Sequence, residues 1–249
     1  MGDESYRRQM AELVAAMSRP GGEQGVALLT DDSRRAAVKM FVDGNLDKRL
    51  DKLAKQLEFV EEAFDNFEEL LAEYIRATAL SAFHTSTSDG ERMLAWLADS
   101  RRLTPVQADY VTVQRTRHAL ERLAADRREQ HLAFQALRRQ RDLSPTLLLP
   151  TTVVRINPIR AWARLETDAL LDDEVEPRNL PCDVLLLADG SDIATVQLEL
   201  EGQVLLNDLA DNQPCSIRNW AKLSRVNDVE ELIELSRDLM ALGLIAEAQ

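Results

Sequence analysis

Two runs near the end of the chain, Cys182-Asp-Val-Leu-Leu-Leu-Ala188 and Ile193-Ala-Thr-Val-Gln-Leu-Glu199, meet at Asp189-Gly190-Ser191. The flanking runs are rich in strand-forming side chains, and Asp-Gly supplies the positive φ that a tight hairpin turn requires. Three helical patterns follow. The last, Asp228 to Leu242, brings Val229, Leu232, Ile233, Leu235, Leu239 and Leu242 close to one stripe, with Asp228 as N-cap and Gly243 placed to stop the helix. A hairpin packed on three short helices is the inventory of a winged-helix module. Residues 151 to 249 carry 19 acidic and 8 basic side chains, so this third of the chain holds a net −11 of the total −13. A module that neutralises phosphates needs the opposite balance.

Working outward, 249 residues suffice for two modest domains with sizeable cores. Cys182 and Cys215 lack paired spacing and metal-ligand neighbours, so reduced thiols and a cytoplasmic setting are expected. The first residues, Met-Gly-Asp-Glu-Ser-Tyr-Arg-Arg, lead into an amphipathic pattern rather than a signal peptide or anchor. No run approaches the roughly 18 apolar residues of a membrane span. The acidity of the C-terminal part should repel nucleic acid and anionic membrane and favour a basic or neutral peptide.

Upstream, helices are expected over residues 4 to 18, Ser33 to about Leu57, and Phe64 to about Phe83, the second with a stripe of Met40, Phe41, Leu46, Leu50, Leu53 and Leu57. Ser86 to Asp89 caps a fourth, containing Met93, Leu94, Trp96 and Leu97. Thr104-Pro105 starts a fifth that runs to about Arg128 or continues to Leu137 with a bend: threonine is a good N-cap, and proline suits the first helical position. Arg115, Arg117, Arg122, Arg127 and Arg128 make this the most basic stretch. Asp109, Glu121, Asp126 and Glu129 are interleaved at helix-pair spacings, as in a solvated, salt-bridged helix. Pro145 and Pro150 bracket a linker. Thr151 to Ile156 reads as a strand ended by Asn157-Pro158, Pro158 to about Leu165 as a short helix, and Asp172 to Asn179 as an acidic loop. The fold class is therefore α+β: a mostly helical domain over 1–146 followed by a winged-helix-like peptide recognition domain over 147–249.

Catalytic motifs are missing from this sequence. His84, His118 and His131 form no HxH, HxxxH or HExxH arrangement, and His118 with Glu121 is a single pair, so no metal ligands are assigned. GxSxG, CxxC and the phosphate-binding glycine loops are all absent. The chain reads as no enzyme in itself, with no catalytic residues and no cofactor of its own. Two features remain. Asp109 and Tyr110 precede the basic Arg115 and Arg117, a packing seam or a surface for docking a partner. Ile193, Thr195, Gln197 and Glu199 alternate with Ala194, Val196 and Leu198. If this strand is a free edge, its N–H and C=O groups can accept an added peptide strand.

Several segments in order resemble one family: Arg34-Arg-Ala-Ala-Val-Lys-Met-Phe-Val-Asp-Gly-Asn-Leu46, Leu103-Thr-Pro-Val-Gln-Ala-Asp-Tyr110, Val154-Arg-Ile-Asn-Pro-Ile-Arg-Ala-Trp162 and Leu239-Met-Ala-Leu-Gly-Leu-Ile245. The chain is similar over about residues 30 to 245 to the HvfC/MbnC/TglI group, with the 3-thiaglutamate-type TglI subunit the preferred placement. Phe41 stands where the early motif usually has tyrosine. The resemblance implies an accessory subunit of peptide natural-product biosynthesis. It would form a heterodimer with a TIM-barrel multinuclear iron oxidase and present a ribosomal precursor peptide, containing or ending in cysteine, through a RiPP recognition element. Iron would then belong to the partner. On this basis a peptide strand is expected along Ile193, Thr195, Gln197 and Glu199, its apolar side chains beside Leu232, Ser236 and Leu239. Two alternatives stand against it: a DNA-binding winged-helix regulator, which needs a basic recognition helix, and a metalloenzyme with scattered ligands.

Overall fold

The computed structural model describes residues 4, 7–8, 11, 13–14, 32–78, 87–143, 147–171, 177–190 and 192–248. The protein is α+β, with a mostly helical N-terminal part and small antiparallel sheets. It divides into two compact units, Met1–Gln114 and Arg115–Gln249. Most of the helix expected over 4 to 18, the end of the one expected to reach Phe83, and most of the acidic 172–179 loop lie outside the described residues.

The first unit contains α1 (Asp32–Gln56), α2 (Glu58–Glu61), α3 (Phe67–Ala77), α4 (Asp89–Ser100) and the start of α5 (Pro105–Asp126). Leu53, Leu57, Phe67, Leu71, Tyr74, Met93, Leu94, Leu97 and Val111 form its core. The α1 stripe differs from expectation at Met40, which is 75% exposed; the buried line runs through Val42, Arg49 and Leu53, spaced at helical intervals. Capping is local and follows the sequence. Ser88 and Glu91 form a capping box at α4, and the Thr104 and Gln107 side chains exchange equivalent bonds with each other's backbone N–H at the start of α5.

A buried ion pair ties α1 to α4. The Arg49 guanidinium donates two hydrogen bonds to the Asp89 carboxylate, at 2.7 and 3.0 Å, and one to the Thr78 carbonyl; Tyr74 Oη donates to Asp89 Oδ1 at 2.8 Å. Burial alone would raise the Asp89 pKa. Hydrogen bonds from Arg49 and Tyr74, with the charges of Arg49 and Arg92, outweigh it and hold the carboxyl below its ordinary value.

The second unit contains the rest of α5, then α6 (Arg128–Leu143), β1 (Val153–Ile156), β2 (Arg160–Leu165), β3 (Cys182–Asp189), β4 (Asp192–Gln197), α7 (Leu200–Asn212), β5 (Cys215–Ser216), α8 (Ile217–Leu223), α9 (Val229–Ala241) and β6 (Ile245–Ala248). The long basic helix breaks at Arg127. Two antiparallel sheets result, ordered β5-β1-β6 and β2-β3-β4. The hairpin is formed as expected, with Gly190 at φ +65°.

The helix expected over Pro158 to Leu165 is instead β2. Ala163 and Leu165 are buried while Trp162 and Arg164 are exposed, a period of two, and the stretch pairs from Arg160↔Leu187 to Leu165↔Cys182. β3 thereby becomes a central strand, and Val184 to Ala188 are all buried. The helix–strand change near residue 147 follows the composition, whereas compactness divides the chain inside α5. One core joins both sheets and the last three helices: Val154, Ile156, Leu185, Leu187, Leu206, Trp220, Leu232 and Leu239 belong to it, and Ala194, Val196 and Leu198 pack against it.

Asn157 sits where β1 turns into β2 and is fully buried. Its Nδ2 donates to the carbonyls of Ala188 and Gly243 at 3.0 and 3.1 Å, and its Oδ1 accepts from the Ile159 N–H at 2.9 Å. Its own N–H donates to the Leu244 carbonyl.

Two stability changes follow from these buried polar groups. Asn157→Ala orphans two carbonyls and an N–H, and urea unfolding should show a loss of about 3 kcal/mol. Asp89→Asn should cost about 3 kcal/mol at pH 7 by leaving Arg49 buried beside a neutral group. A depressed folded pKa stabilises above the ordinary value and ceases to do so as pH falls through the folded one. The gap between wild type and Asp89→Asn should therefore narrow as pH drops below about 4.

Candidate functional site: a sheet edge and an apolar groove

β4 is an end strand of its sheet, and the register gives its two sides different tasks. Its pairs with β3 run Ala188↔Ile193, Leu187↔Ala194, Leu186↔Thr195, Leu185↔Val196 and Val184↔Gln197. The Ala188 N–H donates to the Ile159 carbonyl at 3.0 Å, toward β2. Ala188↔Ile193 is thus a non-hydrogen-bonded pair. Antiparallel pairs alternate, so Leu186↔Thr195 and Val184↔Gln197 are the same kind. Ile193, Thr195 and Gln197 therefore direct their backbone N–H and C=O groups away from β3, to the edge. Their side chains share the outer face: Thr195 and Gln197 are exposed and Ile193 half-buried, while Ala194, Val196 and Leu198 pack on the core.

Glu199 lies past the strand. It is the N-cap residue of α7, makes no side-chain cap bond, and its carbonyl accepts from the Gln203 N–H. The chain thus passes from edge strand to helix within two residues.

A groove of about 650 Å³ begins there, lined by the first turns of α7, the 224–228 connection and the first turns of α9. Leu200 and Val204, one helical turn apart on α7, are 75% and 51% exposed. With Leu205, Val226, Leu232 and Leu235 they make an apolar floor, and the charged residues of the lining are Glu201, Asp228 and Glu231, all acids. Asp228 is fixed as the α9 N-cap, accepting from the N–H of Glu230 at 2.9 Å. Anionic side chains at this end of α9 are favoured by the helix dipole, which explains how the acids coexist.

The expected peptide-contacting residues of α9 fall in different environments. Leu232 lines the groove. Ser236 is fully buried, its hydroxyl donating to the Leu232 carbonyl at 2.6 Å, and Leu239 lies in the core. Leu200 and Val204, outside the expected peptide-contacting set, line the groove together with Leu232.

Of the expected partner-docking residues, Asp109 is buried, 1% exposed. The Tyr110 ring stacks on Phe59 with centroids 4.8 Å apart, so the packing-seam reading describes this pair. Arg115 is exposed and Arg117 half-buried. Among the described residues, no three His, Cys, Asp or Glu side chains form a metal-binding group. Burial depresses the His118 pKa, with Glu121 partly opposing it. Neither Cys182 nor Cys215 forms a disulfide, and burial pushes the Cys215 pKa up, the less reactive direction. No described helix is long and apolar enough to cross a membrane.

No protein-family model matches the chain, and no curated protein is significantly similar to it.

Amide hydrogen exchange provides a direct check of the edge geometry. The N–H groups of Ile193, Thr195 and Gln197 should exchange rapidly, and those of Ala194 and Val196 should be protected by the β3 ladder. The reverse pattern would mean that the inner and outer sides of β4 are exchanged.

Proposed function

We propose that the protein is an accessory, non-catalytic subunit that binds a ribosomal precursor peptide and presents it to a TIM-barrel multinuclear iron oxidase with which it forms a heterodimer. Residues 147–249 serve as a winged-helix-like peptide recognition domain, built from the β2-β3-β4 sheet followed by α7, α8 and α9. The observation that carries the reading is the edge of β4, whose outward N–H and C=O groups end where an apolar groove begins. Strand addition uses main-chain bonds for affinity and side-chain pockets for selectivity. The segments resembling the HvfC/MbnC/TglI group supply the oxidase, the iron it holds and the cysteine-bearing peptide, in a cytoplasmic setting.

The acidic surface of α9 favours a peptide over DNA. Glu230, Glu231, Glu234 and Asp238 are exposed there, with Arg237 as their one exposed basic neighbour on the helix. Phosphates approaching this helix would be repelled.

Thr195→Pro removes an outward donor while sparing the bonds to β3, a position where an edge strand tolerates proline. In co-expression with the oxidase and a cysteine-bearing precursor, the variant should still co-purify with the oxidase but retain the peptide about tenfold less tightly. Mass spectrometry of the peptide should then show less cysteine modification. Undiminished peptide binding would remove β4 as the docking strand.

A further inference from the structure

The groove beside β4 has a chemistry that defines its occupant more narrowly than strand addition alone. Its floor presents Leu200 and Val204 to solvent, and its charged rim, Glu201, Asp228 and Glu231, is uniformly acidic. An exposed apolar floor favours a partner that covers it, and an acidic rim selects the sign of the charge beside the covering side chain. Leu200, the first residue lining the groove, follows the last residue of β4 by three positions, so no more than about 10 Å of extended chain separates the two.

Resting on the proposed peptide-presenting role, we propose that this groove recognises a basic-apolar motif: an extended segment whose Leu, Ile or Val side chain anchors against Leu200 and Val204 while flanking Lys or Arg side chains meet Glu201 and Glu231. Backbone pairing along β4 sets the register of the segment. The groove then decides which segments are retained, rejecting acidic ones by repulsion from the rim. Glu201 and Glu231 are themselves exposed, so their part is in steering and discrimination, with attraction that salt weakens.

The test uses two short fluorescein-labelled probes read by anisotropy on the full chain: a peptide in which Leu and Val alternate with Lys, and its counterpart with Glu at each Lys position. The Lys probe should bind, weaken as sodium chloride is raised, and be preferred over the Glu probe by about tenfold or more. Glu201→Lys/Glu231→Lys should reverse that preference. Leu200→Gln/Val204→Thr, a change at exposed positions, should weaken the Lys probe without altering its salt dependence. Circular dichroism melts verify that each variant is folded.

Equal binding of both probes, or a preference unmoved by the charge-swapped variant, overturns the basic-apolar motif. If Thr195→Pro still weakens binding in that case, the edge-strand reading survives without it. Groove and charge effects that persist while Thr195→Pro changes nothing support the motif and overturn docking on β4. Failure of both probes to bind overturns both.

Discussion

The buried side chain of Asn157 is the constraint on which the second unit depends. One amide holds the carbonyl at the end of β3, the carbonyl of the glycine that ends α9, and the N–H that starts β2. Each of these groups would otherwise be a buried polar atom without water. The two sheets and the last helix are thereby brought to a common corner. Gly243, at φ +74°, is required there for a second reason: a Cβ would stand 2.9 Å from the Arg138 guanidinium, which pairs with Asp189 at the hairpin turn. The corner fixes the end of β3, and the position of β3 fixes which side of β4 is free.

A different compromise governs the groove. Acids around an apolar floor are unfavourable neighbours for one another, yet at the start of α9 they are stabilised by the dipole and by capping. The features that stabilise the helix therefore also charge the site. Nothing comparable is needed at Leu200 and Val204, whose exposure gives the fold no benefit. In the first unit the polar interior is closed instead: Arg49, Asp89 and Tyr74 satisfy each other, as befits a staple between helices rather than a site.

Short-range signals make several elements legible in the sequence. The caps at Ser88, Thr104 and Asp228 and the Asp-Gly hairpin each depend on a few adjacent residues. The alternation in Ile193 to Gln197 likewise marked its exposed face. β2 was missed because six residues with two alanines carry little period, and their conformation is set by pairing with β3. β5 and β6 are short strands completed by β1, a partner far away in sequence. On α7 the apolar residues outnumber one face, so periodicity cannot say that Leu206 and Leu209 go inward while Leu200 and Val204 do not. On α9, Ser236 is a polar residue whose burial the sequence does not announce, because its hydroxyl is satisfied within its own helix.

The phase of β4 has one more consequence. Along this strand the residues that offer their backbone outward are the same ones whose side chains face solvent, because both alternate with period two. A segment lying beside β4 would bond to it through the main chain of alternate residues, and only alternate side chains would turn toward the protein's core. The remaining side chains would point into water and could vary freely. Such an edge defines a class of compatible sequences rather than a single one, leaving half of the positions open to drift without loss of attachment.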